Sequence, residues 1–214
     1  MNIQEVLHVL EKRLRDPKPG LKAQLRMVTN PRPGHRAYHE VEEFCLKAGV
    51  LVLLYPWRNR VHLVLTRRTS HVDFHKNQIS FPGGRQEEGE SLKQAALREA
   101  CEELDIQPRT LRILGELTPL YIPPSNYCIY PVVAVAQKKP VFQPAKDEVA
   151  EVIEVPLAHL QDERNIRKEM WSILGREAEV PFYSFKGNKI WGATAMVLAE
   201  LVELLKPRED SERE

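Results

Sequence analysis

Residues 84–106 read GRQEEGESLKQAALREACEELDI and contain the clearest helix signal in the chain. Ser91 is a typical N-cap residue, and Pro108 stands at the distance at which a helix commonly ends. We therefore predict a helix from Ser91 to about Leu104. Its apolar residues and its glutamates fall on different sides, so one face should pack on a core. The predicted core stripe consists of Leu97, Ala100, Cys101 and Leu104.

Three glutamates of this helix, Glu99, Glu102 and Glu103, share a face, because helical residues three or four positions apart are neighbours. Carboxylates near a helix C-terminus repel one another and oppose the helix dipole, each effect costing roughly 0.3–1 kcal/mol when exposed. A bound divalent cation reverses this penalty, and carboxylate oxygens suit Mg²⁺ or Mn²⁺. The pattern therefore predicts a metal site, with a solvated acidic face as the alternative.

The complete spacing around this helix resembles the Nudix box. That pattern is Gly, five residues, Glu, seven residues, Arg-Glu, an apolar residue, any residue, Glu-Glu, any residue, Gly and an apolar residue. The chain matches it from Gly84 through Glu90 and Arg98 to Ile106, with Asp105 where Gly is usual. Asp tolerates the left-handed conformation better than most other residues, so we expect only a local adjustment at the helix end.

The resemblance implies an α+β fold, an α/β/α sandwich around a mixed sheet, and a metal-dependent pyrophosphohydrolase. It implies that bound Mg²⁺ or Mn²⁺ activates water and polarises the pyrophosphate. The implied metal ligands are Glu99, Glu102, Glu103 and the backbone of Gly83. The implied structural residues of the box are Gly84, Glu90 and Arg98, with Arg98 salt-bridged to Glu90.

A further acid is suggested by the segment KDEVAEV, where Glu148 resembles the downstream acid that several Nudix enzymes use as an extra ligand or general base. The catalytic residues implied in this way are Glu99, Glu103 and Glu148. An exposed loop acid without a catalytic role is the alternative for Glu148.

The segment VLTRRTSHVDFHKNQISFPGG, upstream of the box, resembles the extra signature of coenzyme A pyrophosphatases. Val64 to Thr66, Arg68 and the FPGG run fit it, whereas Asp73 and Asn77 replace the expected Arg and Gly. Similarity to that subfamily continues to about residue 205. It implies that coenzyme A or a thioester is cleaved to adenosine 3',5'-bisphosphate and (acyl-)phosphopantetheine.

Arg67, Arg68 and Lys76 are candidates for holding phosphate groups, because guanidinium groups match paired oxygens and ammonium groups supply compact charge. Arg67 and Arg68 are the predicted substrate-binding pair, with solvated surface charge as the alternative. His71 and His75 would suit a metal on a helix, but the following Pro82 and glycines indicate a loop, which disfavours that role.

The rest of the chain predicts few helices among several strands. Residues 3–14 form an amphipathic helix, 17–36 an irregular connector, and 48–68 a hairpin. Strands follow at 111–117, 128–136 and 149–155, then short helical segments and a helix over 193–205. We divide the chain into an N-terminal helix and connector (1–36), a Nudix domain (37–206) and a flexible tail (207–214).

Composition narrows the class of protein and its location. Lys and Arg total 31 against 30 Asp and Glu, so no global field attracts nucleic acid or membrane, and a small-molecule nucleotide is the expected ligand. Neither a membrane span nor a signal peptide is visible, which favours the cytoplasm. Three cysteines without CxxC spacing predict reduced thiols rather than disulfides.

Other interpretations of the same residues remain open. A Nudix enzyme with this box can act on ADP-ribose, dinucleotides or nucleoside triphosphates instead of coenzyme A. A Nudix fold can also serve as a non-catalytic nucleotide-binding regulator, although no DNA-binding domain is apparent. The N-terminal amphipathic helix is compatible with a homodimer.

Overall fold

The computed structural model describes residues 1–32, 38–69, 78–173 and 175–207. Its helices are α1 (Ile3–Arg13), α2 (Gly20–Gln24), α3 (Leu92–Leu104), α4 (Leu157–Gln161) and α5 (Gly192–Leu205). The strands before residue 110 are β1 (Leu46–Trp57), β2 (Arg60–Arg68), β3 (Ile79–Ser80) and β4 (Gly83–Arg85). The later strands are β5 (Leu111–Glu116), β6 (Leu120–Ile122), β7 (Tyr127–Ala136), β8 (Val149–Pro156), β9 (Ile166–Ile173), β10 (Arg176–Phe185) and β11 (Asn188–Trp191).

Eight strands form a mixed sheet around the long strand β1. The order along the main path is β3-β2-β1-β7-β5, with β4 paired to β1, β6 to β7 and β8 to β2. Only the β1–β7 pair is parallel among these described strands. Strand β1 is long enough to pair β4 near its start and β2 near its end, which brings the glycines of β4 beside the hairpin.

Helices cover both faces of this sheet. Successive side chains of a strand point to opposite faces, and β1 accordingly gives Leu51 and Leu53 to the core under α3 and Val52 and Leu54 to the core that contains α5. The predicted α/β/α sandwich around a mixed sheet is therefore confirmed. The hairpin, the strands at 111–117, 128–136 and 149–155, and the last helix are present within a few residues of their predicted bounds.

A second sheet of three antiparallel strands, β9, β10 and β11, follows β8. Between β8 and the last helix the sequence predicted only short helical segments, and this is wrong except for α4 and a 3-10 turn at Glu163–Asn165. Four consecutive residues of β9, 167–170, are exposed, so its sequence lacks the alternation that identifies a strand. Its pairing with the longer β10, from Ile166 opposite Tyr183 to Ile173 opposite Arg176, supplies the order.

The N-terminal helix packs on the C-terminal one. Asn2 and Glu5 form a capping box at the start of α1, and the Arg13 guanidinium donates to the backbone carbonyls of Leu204 and Lys206 at the C-terminal end of α5. The amphipathic helix predicted at residues 3–14 is therefore present, and its apolar residues Val6, Leu7 and Leu10 are buried in the core that contains α5. None of the helices that the structure describes has the length and apolarity needed to span a membrane.

The segment predicted to be an irregular connector contains α2 and a 3-10 turn at Leu25–Met27. Pro19 immediately precedes α2, a position where proline is compatible with a helix start. Gln24 at its end is fully buried and donates to the Glu200 carboxylate and the Thr118 carbonyl oxygen. The contact with Glu200 stabilises α2, which the sequence did not predict because prolines and glycines are frequent in this segment.

Two of the three cysteines form a disulfide, contrary to the prediction of reduced thiols. Cys45 and Cys128 are bonded, with 5.8 Å between their Cα atoms, and Cys101 is free. The parallel pairing of β1 with β7 places Lys47 opposite Cys128, which brings Cys45 to the same end of the sheet. A contact across 83 residues of sequence depends on strand pairing and has no local pattern.

Candidate active site

Helix α3 begins where the sequence predicted. The Ser91 hydroxyl accepts the backbone N–H of Gln94, and the Gln94 side chain accepts the N–H of Ser91, which forms a capping box. A Cβ atom at Gly49 of β1 would lie 2.2 Å from the Leu92 carbonyl oxygen, so glycine is required where helix and strand approach. The N-terminal half of α3 is thereby fixed against the sheet.

The buried face of α3 is rotated from the predicted stripe. Ala100 and Leu104 are buried as expected, but Leu97 and Cys101 are only half-buried. The remaining buried positions of the helix are Ala95, Ala96 and Glu103. The small alanines let the helix lie close to the sheet, and the rotation takes the carboxylate of Glu103 below the surface.

The helix ends at Asp105, the residue that replaces the usual glycine. Asp105 adopts the left-handed conformation, with φ 55° and ψ 34°, and its N–H bonds the carbonyls of the preceding turn. Its two carboxylate oxygens accept hydrogen bonds from the side chains of Gln107 and Gln143. The local adjustment expected for this substitution is therefore confirmed.

Arg98 connects the turn before α3 to the helix. Its guanidinium donates to Glu90 through Nη2 at 2.9 Å and through Nε at 3.2 Å, and to the Arg85 carbonyl oxygen at 3.0 Å. The hydrogen bonds from Arg98 lower the pKa of Glu90. The predicted Arg98–Glu90 salt bridge is confirmed. Nη1 also reaches Glu99 at 3.0 Å and Glu102 at 2.9 Å, so one guanidinium orients three acids.

Gly84 lies directly against the Glu99 carboxylate. A Cβ atom at this position would fall 2.3 Å from Cδ and from Oε1 of Glu99, closer than non-bonded atoms can approach. Burial is the main cause that raises the pKa of Glu99, and the charges of Glu102 and Glu148 add to it. Glycine at 84 is therefore needed for the backbone to approach this carboxylate.

Glu103 is the most deeply placed acid of the helix, with 2% of its surface exposed. Nη1 of Arg68 lies 3.5 Å from Oε1, whereas Oε2 has no hydrogen-bond partner among the residues that the structure describes. Burial is the main cause that raises the pKa of Glu103 to about 8. The charges of Glu99 and Glu148 contribute to this rise, while Arg68 and the Gly83 backbone oppose it.

Glu148 is exposed, yet its charge acts on both Glu99 and Glu103. The loop that carries it passes the end of α3, where the Ala145 N–H donates to the Glu103 carbonyl oxygen at 2.9 Å. Two backbone groups of the loop are also held at the end of β2, through the main chain and hydroxyl of Thr69. The fold thus brings a distant acid to the box glutamates, which sequence spacing cannot show.

These residues suit a hard divalent cation in their chemistry. No group of three or more His, Cys, Asp or Glu side chains within the described ranges is already drawn together as a metal site. The Arg98 guanidinium instead neutralises Glu99 and Glu102. The buried Oε2 of Glu103 nevertheless lacks a donor, and a polar oxygen in this condition is costly unless a cation or proton satisfies it. The donor set fits Mg²⁺ or Mn²⁺.

The two predicted substrate-binding arginines have different surroundings. Arg68 faces Glu103 across 3.5 Å. Arg67 bonds Glu151 of β8 at 3.0 Å and the side chain of Asn188 at the start of β11. The candidates at 71–77, namely His71, Asp73, His75, Lys76 and Asn77, lie outside the residues that the structure describes.

Comparison with known proteins identifies the class. The profile of the NUDIX domain matches residues 46–210. The chain therefore belongs to the Nudix family and is a pyrophosphohydrolase.

Its relatives include proteins named "Uncharacterized Nudix hydrolase NudL". The one from Enterobacter sp. (strain 638) is 33% identical over 156 residues, covering 72% of this chain and 80% of the relative. The one from Photorhabdus laumondii is 32% identical over 142 residues, covering 66% and 75%. A MutT protein structure from Methanosarcina mazei Go1 aligns at a TM-score of 0.49 and 16% identity, over 74% of this chain and 92% of that one.

Proposed function

We propose that this pyrophosphohydrolase cleaves coenzyme A or its thioesters, with Mg²⁺ or Mn²⁺, to adenosine 3',5'-bisphosphate and (acyl-)phosphopantetheine. The observation that supports the chemistry is the deeply buried carboxylate of Glu103, whose Oε2 lacks a donor among the described residues, next to Glu99, which lies against Gly84 of β4. The charge of Glu148 acts on both of these acids. The choice of coenzyme A rests on the upstream signature and on the extended resemblance to coenzyme A pyrophosphatases.

Glu99, Glu102 and Glu103, with the Gly83 backbone, would hold the cation. When bound, it would stabilise negative charge on the pyrophosphate oxygens. Arg98 would keep Glu99 and Glu102 oriented, because its guanidinium donates hydrogen bonds to both carboxylates. Because Arg98 is itself anchored by Glu90, the arrangement is preorganised by the turn before the helix.

Hydrolysis adds the oxygen of water to one phosphorus atom and breaks its bond to the bridging oxygen. The proton released by the water needs an acceptor, and Glu148 is proposed for this role because it is exposed and its charge acts on Glu99 and Glu103. Arg68 is proposed to contact a phosphate oxygen, since its guanidinium lies 3.5 Å from Glu103.

A second candidate substrate class is favoured by a specific feature of the sequence. Asp73 and Asn77 depart from the coenzyme A signature, and a carboxylate in place of an arginine removes a contact to a phosphate. ADP-ribose, dinucleotides or nucleoside triphosphates are the alternative substrates.

The cytoplasmic location and the homodimer remain predictions. Light scattering coupled to size-exclusion chromatography would test the dimer.

Substrate identity is tested by product analysis. The protein is incubated with coenzyme A, acetyl-coenzyme A, ADP-ribose, NADH and nucleoside triphosphates, with Mg²⁺ or Mn²⁺, and the products are identified by mass spectrometry. We expect kcat/KM for coenzyme A or its thioester to exceed the others by at least about tenfold. Glu99→Gln and chelator-treated protein are the controls.

Each other outcome of this assay has a defined meaning. Cleavage of ADP-ribose or dinucleotides alone would refute the coenzyme A assignment and leave the chemistry intact. If Glu99→Gln does not reduce turnover, the acids of α3 do not form the catalytic metal site. Binding without turnover of any nucleotide would support the regulator.

Matched substitutions distinguish the roles of the two adjacent arginines, Arg67 and Arg68. Arg68→Met is expected to raise KM for the preferred substrate about 10- to 100-fold, because a charge-assisted contact to phosphate is lost. Arg67→Met is expected to change KM less than about threefold, since Arg67 bonds Glu151 and Asn188. Steady-state kinetics of both variants decide the point. A larger effect of Arg67→Met would assign the phosphate contact to Arg67 instead.

A further inference from the structure

Thr69 stands at the end of β2 and contacts the loop that carries Glu148. Only 8% of its surface is exposed. Its backbone N–H donates to the Glu148 carbonyl oxygen at 2.9 Å, and its hydroxyl donates to the Asp147 carbonyl oxygen, also at 2.9 Å. One buried residue thus holds two successive backbone groups of the loop.

The loop from 137 to 148 follows β7 and lacks regular secondary structure. Its middle is fixed to the end of α3, where Gln143 N–H donates to the Leu104 carbonyl at 3.0 Å and Ala145 N–H to the Glu103 carbonyl at 2.9 Å. Its first part, 139–142, lines an open groove of about 420 Å³ together with Val152 and Glu154 of β8, and the Lys139 ammonium donates to Glu154 at 2.7 Å. The first part of the loop is thus held by the Lys139–Glu154 ion pair and by Phe142 against Tyr55, whereas its last part is held by backbone hydrogen bonds to α3 and to Thr69.

The direction of the Glu148 side chain depends on its own backbone and on that of Asp147. Thr69 donates to the carbonyls of both residues. The Glu148 N–H in turn donates to the Ala145 carbonyl at 3.0 Å, which closes the short turn. The hydroxyl is the part of Thr69 that a substitution can remove without changing the chain path. A displacement of about 1 Å at a catalytic group can cost about 100-fold in rate.

We propose that Thr69 is a positioning residue whose hydroxyl holds the 147–148 turn so that Glu148 faces Glu103. This inference rests on the proposed role of Glu148 in hydrolysis. The Thr69 hydroxyl donates to the Asp147 carbonyl and not to a carboxylate of α3. Its effect on catalysis passes through Glu148, which makes it separable from an effect on folding.

The test uses Thr69→Val, which keeps the branched shape and removes the hydroxyl. We expect kcat for the preferred substrate to fall about tenfold, with KM within about twofold, since binding groups are unchanged. Thr69→Ser, which keeps the hydroxyl, is expected to retain at least about half of the wild-type kcat. Amide hydrogen exchange of residues 145–149 should rise in Thr69→Val and remain unchanged in Thr69→Ser.

Thr194→Val is the matched control. Thr194 has the same exposed fraction of 8%, and its hydroxyl donates at the same distance of 2.9 Å to a backbone carbonyl, that of Ile79. Its loss should cost similar stability and leave kcat and the exchange of 145–149 unchanged. If kcat falls equally in Thr194→Val, the effect of Thr69→Val is explained by general destabilisation, and the positioning role of Thr69 is refuted.

A double-mutant cycle with Glu148→Gln completes the test. If Thr69 acts through Glu148, Thr69→Val in the Glu148→Gln background should lower kcat less than about twofold further. A full additional tenfold loss would overturn the inference. Normal kcat in Glu148→Gln itself would instead contradict the proposed role of Glu148. Normal kcat and exchange in Thr69→Val, with Glu148→Gln impaired, would refute the role of Thr69 alone.

Discussion

Glu103→Gln is expected to lower kcat by on the order of 10³-fold and to stabilise the metal-free protein at the same time. The loss of activity follows from the loss of a charged ligand, because charge stabilisation by a bound metal supplies several kcal/mol and each 1.36 kcal/mol corresponds to tenfold in rate. The gain in stability follows from the burial of Glu103, whose exposed fraction is 2%.

The sign of the stability effect follows from the pKa. Burial raises the pKa of Glu103 from its ordinary value of 4.5 to about 8. Below pH 4.5 the carboxyl is protonated in both the folded and unfolded states, and the wild type and the variant should be equally stable. Between pH 4.5 and 8 the unfolded chain releases the proton while the folded chain retains it, so wild-type stability declines. Glutamine has no such proton, and its advantage should reach on the order of 4 kcal/mol by pH 8.

Urea unfolding at pH 4, 6 and 8, with chelator present, measures this difference. Glu102→Gln is the control, because the Glu102 side chain is 55% exposed and should show little pH-dependent gain. Added Mg²⁺ or Mn²⁺ should raise the Tm of the wild type and not that of Glu103→Gln. A variant that is less stable than the wild type at pH 8 without metal would contradict the burial argument.

The elements that the sequence predicted correctly are those specified by local chemistry. Ser91 with Gln94 forms the start of α3, and Asp105 adopts the left-handed conformation that its short polar side chain tolerates. The turn between β1 and β2 is likewise local, with Arg58 and Asn59 both at positive φ. Neighbouring residues suffice for such features, so their positions could be predicted without the rest of the fold.

The depth of the acids could not be predicted in this way. Helical spacing places Glu99, Glu102 and Glu103 on one face, but the face that is buried depends on how α3 lies on β1 and β4. The approach at Gly49 and Gly84 rotates the helix so that Glu103 is buried and Glu102 is exposed. Spacing therefore predicted that the three glutamates lie at the same end of the helix, and packing determined their different electrostatic environments.

Contacts between residues far apart in the chain could not be predicted from the sequence. Thr69 and Glu148 are 79 positions apart, and the antiparallel pairing of β2 with β8, which places Arg68 opposite Val149, brings them together. Strand β9 owes its order to β10 in the same way. Thr69 stands where the coenzyme A signature has Ser or Ala, and nothing in the neighbouring sequence indicated a partner in a distant loop.

Loss of the Cys45–Cys128 disulfide is expected to lower the free energy of unfolding by about 3 to 5 kcal/mol. The bond closes a loop of 83 residues, and a cross-link of this span restricts the unfolded chain strongly. Its sulfur atoms lie in a small cluster with Val41, bordered by Tyr38 and Tyr130, whose hydroxyls are 2.6 Å apart. Both cysteines are less than 10% exposed, so their substitution also leaves a cavity.

The measurement compares urea unfolding of the oxidised protein, the reduced protein and the variant Cys45→Ala/Cys128→Ala, all in a Cys101→Ser background. Disulfides are rare in reducing compartments, so titration of thiols in freshly isolated, unfolded protein also tests the predicted cytoplasmic location. One free thiol in the wild type indicates the bond, and three would contradict it.

Activity should respond far less to this disulfide than stability does. Cys45 lies two residues before Lys47, whose carbonyl accepts the Gln86 N–H at 2.9 Å, so the bond borders the turn that leads into α3. That turn is held independently by the bonds of Arg98 to Glu90 and to the Arg85 carbonyl. We therefore expect kcat at 25 °C to change less than about threefold in the double alanine variant. A loss as large as that of Glu103→Gln would mean that the order of the active site depends on the start of β1 and not on Arg98.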